Sequence, residues 1–147
     1  MMQELNLPAY KFRIKEEGAK KYIFDSVRKR FVSLTPEEWV RQNFIRYLIE
    51  ERKYPEQLMA VEKQITLNGK LFRFDLLVYR RNGRPLLIAE FKAPSVKISQ
   101  DTFDQVVRYN MALKVERVVV SNGLQHYVCE VNYSTNSYSF LKEIPEF

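Results

Sequence analysis

Asp75, Glu90 and Lys92 are the residues of this 147-residue chain whose types and spacing could do chemistry. Glu90 and Lys92 interrupt LLIAEFKAP, a run at 86–94 that otherwise reads as a buried strand. Asn82-Gly83 precedes that run, and Asn-Gly between apolar segments is a strong two-residue hairpin signal. A two-residue turn there sets Asp75 opposite Glu90, Arg73 opposite Lys92, Leu77 opposite Ile88 and Tyr79 opposite Leu86. Because strand side chains alternate, the four charges then share one face. Phe72, Phe74, Leu76, Val78, Leu87, Ala89 and Phe91 take the other, which must pack on a helix. Facing carboxylates repel each other, more so when half-buried, so positive charge belongs between them. Arg73 and Lys92 can supply it as a salt-bridge cluster. Alternatively, a divalent cation can be held by two carboxylates, a main-chain carbonyl and waters, with an ammonium alongside to act on a water or a phosphate.

The elements that must position these residues are readable. TPEEWVRQNFIRYLIEE begins a helix with Thr35 as N-cap, Pro36 in the first turn and Glu38 completing a capping box. Trp39, Val40, Phe44, Tyr47 and Leu48 recur at helical spacing, and the helix ends before Pro55. AVEKQITL, LFRFDLLVYR and PLLIAEFKA follow as strands separated by Asn68-Gly69 and Asn82-Gly83, which gives an antiparallel meander. A second helix is expected from Gln100 to Lys114 with Phe103, Val106, Val107 and Met111 inward. ERVVVSN then reads as a buried strand, and LQHYVCEV and SYSFL as further strands. Upstream, KFRIK and KYIF are short strand-like pieces. The basic stretch VRKRF offers Arg28, Lys29 and Arg30 either as a solvated edge or as phosphate contacts. A single domain follows, with a basic extension over 1–34 and a core over 35–147.

Composition narrows the function. The chain carries one cysteine and one histidine, which argues against a Cys/His zinc cluster or a Cys-His catalytic pair. A net charge of +6 suits a polyanionic partner. No apolar run approaches membrane-spanning length and the N-terminus has no signal core, so a cytoplasmic protein with no membrane association is expected.

Asp75 followed by Glu90-Phe91-Lys92, on a hairpin after a helix, resembles the PD-(D/E)xK nuclease superfamily. RFDLLVY, LIAEFKAP and FDQVVRYN together are similar to the N-terminal nuclease domain of type I restriction enzyme R subunits, where a Gln-x-x-x-Tyr motif follows the lysine; here it falls on Gln105 and Tyr109. VRKRFVSLTPEEWVRQNFIRYL is similar to small stand-alone bacterial proteins of that family. The resemblance covers residues 22–125. It departs at Phe74, which stands where the superfamily's name has proline.

The resemblance implies an α/β/α sandwich with a central mixed sheet, a restriction-endonuclease-like core in the order αβββαβ. It implies that Asp75, Glu90 and the Phe91 carbonyl hold Mg2+ or Mn2+, and that Lys92 activates water and stabilises the pentavalent phosphate. Gln105 would position the site, although it could also end a capping box begun by Thr102. Tyr109 would contact the site or the DNA backbone. Arg73 is open between phosphate ligand and salt-bridge partner, and Glu38 between an additional catalytic acid and a helix cap. The expected activity is metal-dependent hydrolysis of DNA in restriction, defence or repair, with RNA or branched DNA as other substrates and a homodimer or partner subunit as the assembly. A catalytically silent nucleic-acid-binding or assembly module of the same fold is the alternative. No G-x-x-x-x-G-K phosphate loop and no helix-turn-helix pattern is present, so translocation or sequence reading would have to come from elsewhere.

Overall fold

The computed structural model describes residues 2–147. Helix α1 spans Pro36–Arg52. Thr35 Oγ1 accepts from the Glu38 N–H at 3.0 Å, and Lys53 ends the helix in the left-handed region at φ 64°. The chain then forms β4 (Met59–Leu67), β5 (Lys70–Tyr79), β6 (Pro85–Phe91), helix α2 (Gln100–Leu113), β7 (Arg117–Ser121), β8 (His126–Asn132) and β9 (Ser137–Leu141). These six strands make one mixed sheet in sequence order: β6 and β7 run parallel across the α2 crossover, and every other pair is antiparallel.

The sheet is apolar on both faces because each face has its own helix. Val40, Phe44 and Leu48 of α1 bury against Leu76, Val78, Ala89 and Phe91. Phe103 and Val107 of α2 bury against Leu77, Ile88, Val118 and Val120. Neighbours in sequence therefore go to opposite helices, as the alternation of strand side chains requires. Among the described residues no helix is long and apolar enough to cross a membrane.

The two hairpins differ. Asn68 and Gly69 both have positive φ, 52° and 77°, and close a two-residue turn beneath the pair Leu67–Lys70. Asn82-Gly83 instead lies in a longer loop, where Arg80 donates its N–H to the Arg84 carbonyl and Tyr79 pairs with Pro85. Tyr79 is thus not opposite Leu86. A bulge at Leu86 then restores the expected register, with Val78–Leu87, Leu77–Ile88 and Leu76–Ala89 as pairs.

Regular pairing of β5 with β6 stops at Leu76–Ala89, so neither Asp75–Glu90 nor Arg73–Lys92 is a ladder pair. Lys92 lies past the end of β6 and gives its N–H to the Ser121 carbonyl of β7. On the other side of β5, Glu62 of β4 has φ 54° and drops out of the ladder opposite Asp75. Beyond this irregularity the β4–β5 hairpin turns toward α2. Phe72 and Phe74 consequently pack in the α2 cluster, not on the α1 face with Leu76 and Val78 as their parity suggests.

In the N-terminal segment the two expected short strands pair, with a third, into a three-stranded antiparallel sheet: β1 (Ile14–Glu17), β2 (Lys20–Asp25) and β3 (Arg30–Ser33). The first strand starts at Ile14, later than KFRIK suggests, and the basic stretch forms the β2–β3 turn and the start of β3.

Candidate functional site

Asp75 and Glu90 reach one locality from two neighbouring strands at the point where those strands separate. Asp75 Oδ2 accepts the main-chain N–H of Phe91 at 2.7 Å, and Asp75 Oδ1 lies 3.8 Å from the Arg41 guanidinium. Lys92 Nζ lies 3.8 Å from Glu90 Oε1. Burial, followed by the charge of Asp75, pushes the Glu90 carboxyl up to about 7. Burial also raises Asp75, against the opposing pull of the Phe91 N–H and of Arg41. Both shifts mark half-buried carboxylates that Arg41 and Lys92 only partly compensate.

These two half-buried carboxylates on neighbouring strands are the observation against which a cation can be tested. Asp75 and Glu90, with the Phe91 carbonyl that the resemblance adds, would offer only oxygen donors, which suits a hard divalent ion. Among the described residues no three Asp, Glu, His or Cys side chains converge to hold a metal by themselves. An ion here keeps waters in its remaining positions, which is the habit of Mg2+. The residues fit the group.

Glu38, open between an additional catalytic acid and a helix cap, is taken up by arginines in the structure. Its carboxylate is buried and accepts from Arg41 Nε at 2.9 Å, Arg41 Nη2 at 2.7 Å, Gln42 Nε2 at 2.9 Å and Arg28 Nη2 at 2.8 Å. Burial alone would raise its pKa, but the hydrogen bonds and the charge of Arg41 hold it down to about 2. The acid on α1 that couples to the site is the preceding residue, Glu37, raised by burial and then by the charge of Asp75.

Arg28 also departs from its expected role, because its guanidinium points inward. It pairs with the fully buried Asp25 through a short Nε–Oδ2 contact, with Glu38, and with Glu62 at 3.7 Å. Glu62 further meets Arg41 at 3.3 Å and Arg73 at 3.5 Å. A chain of charges therefore runs from the N-terminal sheet through α1 and β4 to Asp75. Lys29 and Arg30 remain exposed. Arg30 lines an open groove of about 690 Å3 that also reaches Tyr22, Phe31, Glu37 and Ala93.

Gln105 and Tyr109 face the site from α2. They line a cavity of about 390 Å3 together with Arg73, Glu90 and Lys92. Ser99 caps α2 by accepting the Thr102 N–H at 3.2 Å, so a cap starting at Thr102 does not account for Gln105. Tyr109 is 41% exposed, lies edge-on to Phe72 at 5.3 Å and has Lys70 Nζ 5.1 Å from its ring centre. Arg73 is largely exposed and, among the described residues, bridges only to Glu62.

Sequence reasoning missed Glu37, Arg41 and Glu62. The Glu38–Arg41 spacing was the available signal for one of them, since residues three apart share a helix face. Nothing local to Glu62 announced that it would gather three arginines.

Comparison with known proteins follows the same geography. The family described as type I restriction enzyme R protein N terminus matches residues 36–145, from the first residue of α1 through the last strand, leaving β1–β3 outside. A solved fragment assigned as an HsdR subunit of a type I restriction enzyme from Vibrio vulnificus YJ016 superposes with a TM-score of 0.55 at 19% identity. The superposition covers 77% of this chain and 24% of that one, so the chain spans about a quarter of the solved fragment's length. At this identity the likeness is one of fold. Curated proteins gave no match.

Proposed function

Since the chain belongs to the family of type I restriction enzyme R protein N-termini, we propose that it is a metal-dependent nuclease of the PD-(D/E)xK type acting on DNA. The α1-β4-β5-β6-α2-β7 order supports a restriction-endonuclease-like core. The observation that carries the reading is the meeting of Asp75, Glu90 and Lys92 at the parting of β5 and β6, where burial raises both carboxyls and the charge of Asp75 raises Glu90 further.

In this reading Asp75, Glu90 and the Phe91 carbonyl would hold Mg2+ or Mn2+, which would supply positive charge against the phosphate oxygens. Lys92 donates from Nζ to the phosphate or to the attacking water and keeps that water in line. The water oxygen bonds to phosphorus, the sugar oxygen leaves with the bonding electrons, and the water's proton passes to it through solvent. Gln105 and Tyr109 bracket the substrate from α2, and Arg73, Lys29 and Arg30 meet neighbouring phosphates. Arg41 acts as a positioning residue, holding Asp75 through its fixed attachment to Glu38.

The test is cleavage of supercoiled, linear, single-stranded and branched DNA, and of RNA, with Mg2+ or Mn2+, comparing wild type with Glu90→Ala and Lys92→Ala. Metal-dependent cutting lost in both variants supports the nuclease and gives its substrate class. Binding without turnover on every substrate supports the silent assembly module, and cutting that survives both substitutions refutes the assigned site. Restriction, defence and repair all use such chemistry, in a homodimer or with a partner subunit.

A further inference from the structure

The cavity between the β4–β5 hairpin and α2 is larger than a phosphate and a hydrated ion require. At about 390 Å3 it is in the size range of small-molecule sites. Phe74, Ile88 and Val106 make much of its wall apolar, and Phe74 and Ile88 are buried. Thr102 and Gln105 interrupt that wall with a hydroxyl and a carboxamide. A carboxamide offers a donor pair and an acceptor, which is what the edge of a nucleobase seeks. Tyr109 adds a ring that is exposed and braced edge-on by Phe72, so a flat group can rest against it without the ring giving way.

We propose that this cavity receives one unpaired nucleobase of the substrate strand, adjacent to the phosphate that Lys92 engages. The inference rests on the nuclease reading for the phosphate's place, because Glu90 and Lys92 belong to the cavity wall. A base stacked and paired within a duplex presents neither its faces nor its pairing edge, and must leave the helix to be held in this way. The substrate class that follows is single-stranded DNA, or a duplex interrupted by an unpaired nucleotide. The bent hairpin makes this possible. Had Phe72 and Phe74 packed against α1, the wall facing α2 would lack Phe74 and Tyr109 would lack its brace.

The experiment is a binding measurement without divalent ions, which separates it from cleavage. Fluorescence anisotropy compares wild-type affinity for a short oligothymidylate, for an oligomer of the same length in which every base is replaced by an abasic sugar, and for a fully paired duplex. Stacking and edge contacts to one base predict a preference of about tenfold or more for the oligothymidylate over the abasic strand. Val106→Phe, which fills the cavity, and Tyr109→Ala should each reduce that preference toward unity. Equal wild-type affinity for the base-bearing and abasic strands would overturn the proposal, and so would a preference unchanged in a folded Val106→Phe protein. The wild-type comparison decides even where a variant fails to fold. Base discrimination without metal-dependent cutting would refute the nuclease and keep the pocket, whereas cutting with no discrimination would do the reverse.

Discussion

Asp75 Oδ2 takes the Phe91 N–H at 2.7 Å, so a side chain completes the edge of β6 just where β5 stops pairing with it. The bond and the charge of Asp75 are separable. Asp75→Asn retains an amide oxygen for the Phe91 N–H, whereas Asp75→Ala leaves that N–H unmade at a cost of about 1–3 kcal/mol. Urea denaturation should show Asp75→Asn near or above wild-type stability and Asp75→Ala clearly below it, with both unable to cleave.

Glu90 sits half-buried beside a like charge. Replacing it by glutamine removes the repulsion while keeping the shape, and should raise stability by about 1 kcal/mol, seen as a higher melting temperature in chelator. Cleavage should vanish in the same variant. An unfolded Glu90→Gln protein would mean that the pair with Lys92 at 3.8 Å holds the fold together.

Arg41 and Glu38 are each less than a tenth exposed and share two hydrogen bonds. Arg41→Met strands the Glu38 carboxylate with fewer donors, and breaking a buried pair from one side costs about 3–5 kcal/mol. The double variant Arg41→Met with Glu38→Leu should recover part of that loss, and a double-mutant cycle in urea measures the coupling.

Acid should uncouple the N-terminal sheet from the core. The Glu38 carboxyl is held down to about 2 in the fold against an ordinary value near 4.5. A depressed folded pKa gives stability that is complete above the unfolded value and is lost as pH falls from about 4.5 toward 2. The loss is of the order of 3 kcal/mol. Stability measured across that window should fall in wild type and fall less steeply in Glu38→Gln, whose baseline is already lower.

Neighbouring arginines should behave oppositely. Arg30 is exposed along the groove that reaches Glu37, so Arg30→Glu should weaken DNA binding and flatten its salt dependence while leaving melting unchanged. Arg28 is half-buried and paired with Asp25, Glu38 and Glu62, and Arg28→Ala should lower stability first.

Local signals account for what was readable in advance. Thr35 and Pro36 announce α1, Asn68-Gly69 announces its turn, and alternation assigns Leu77 and Ile88 to one face. The expected pairing near Ile88 held although the turn at Asn82-Gly83 was of another kind, because a bulge at Leu86 absorbed the difference. Choosing between Glu37 and Glu38 needed the rotation of α1 about its axis, which tertiary packing sets. The inward turn of Arg28 needed Asp25, Glu38 and Glu62 assembled from three elements. The crossing of Phe72 and Phe74 to the α2 side accompanies a left-handed backbone at Glu62, a conformation its residue type does not favour.

The bond from the Lys92 N–H to Ser121 carries a kinetic implication. Both site carboxylates lie on a meander of sequence neighbours, which can form early, but the Lys92 main chain is anchored by β7, which pairs in parallel after the whole of α2. Parallel pairing across a helix is among the slower steps of folding. During synthesis or refolding the acids should therefore gather before the ammonium does. A partly folded chain would display paired carboxylates without the lysine set to act, and the appearance of activity would time the last docking event, not the first collapse.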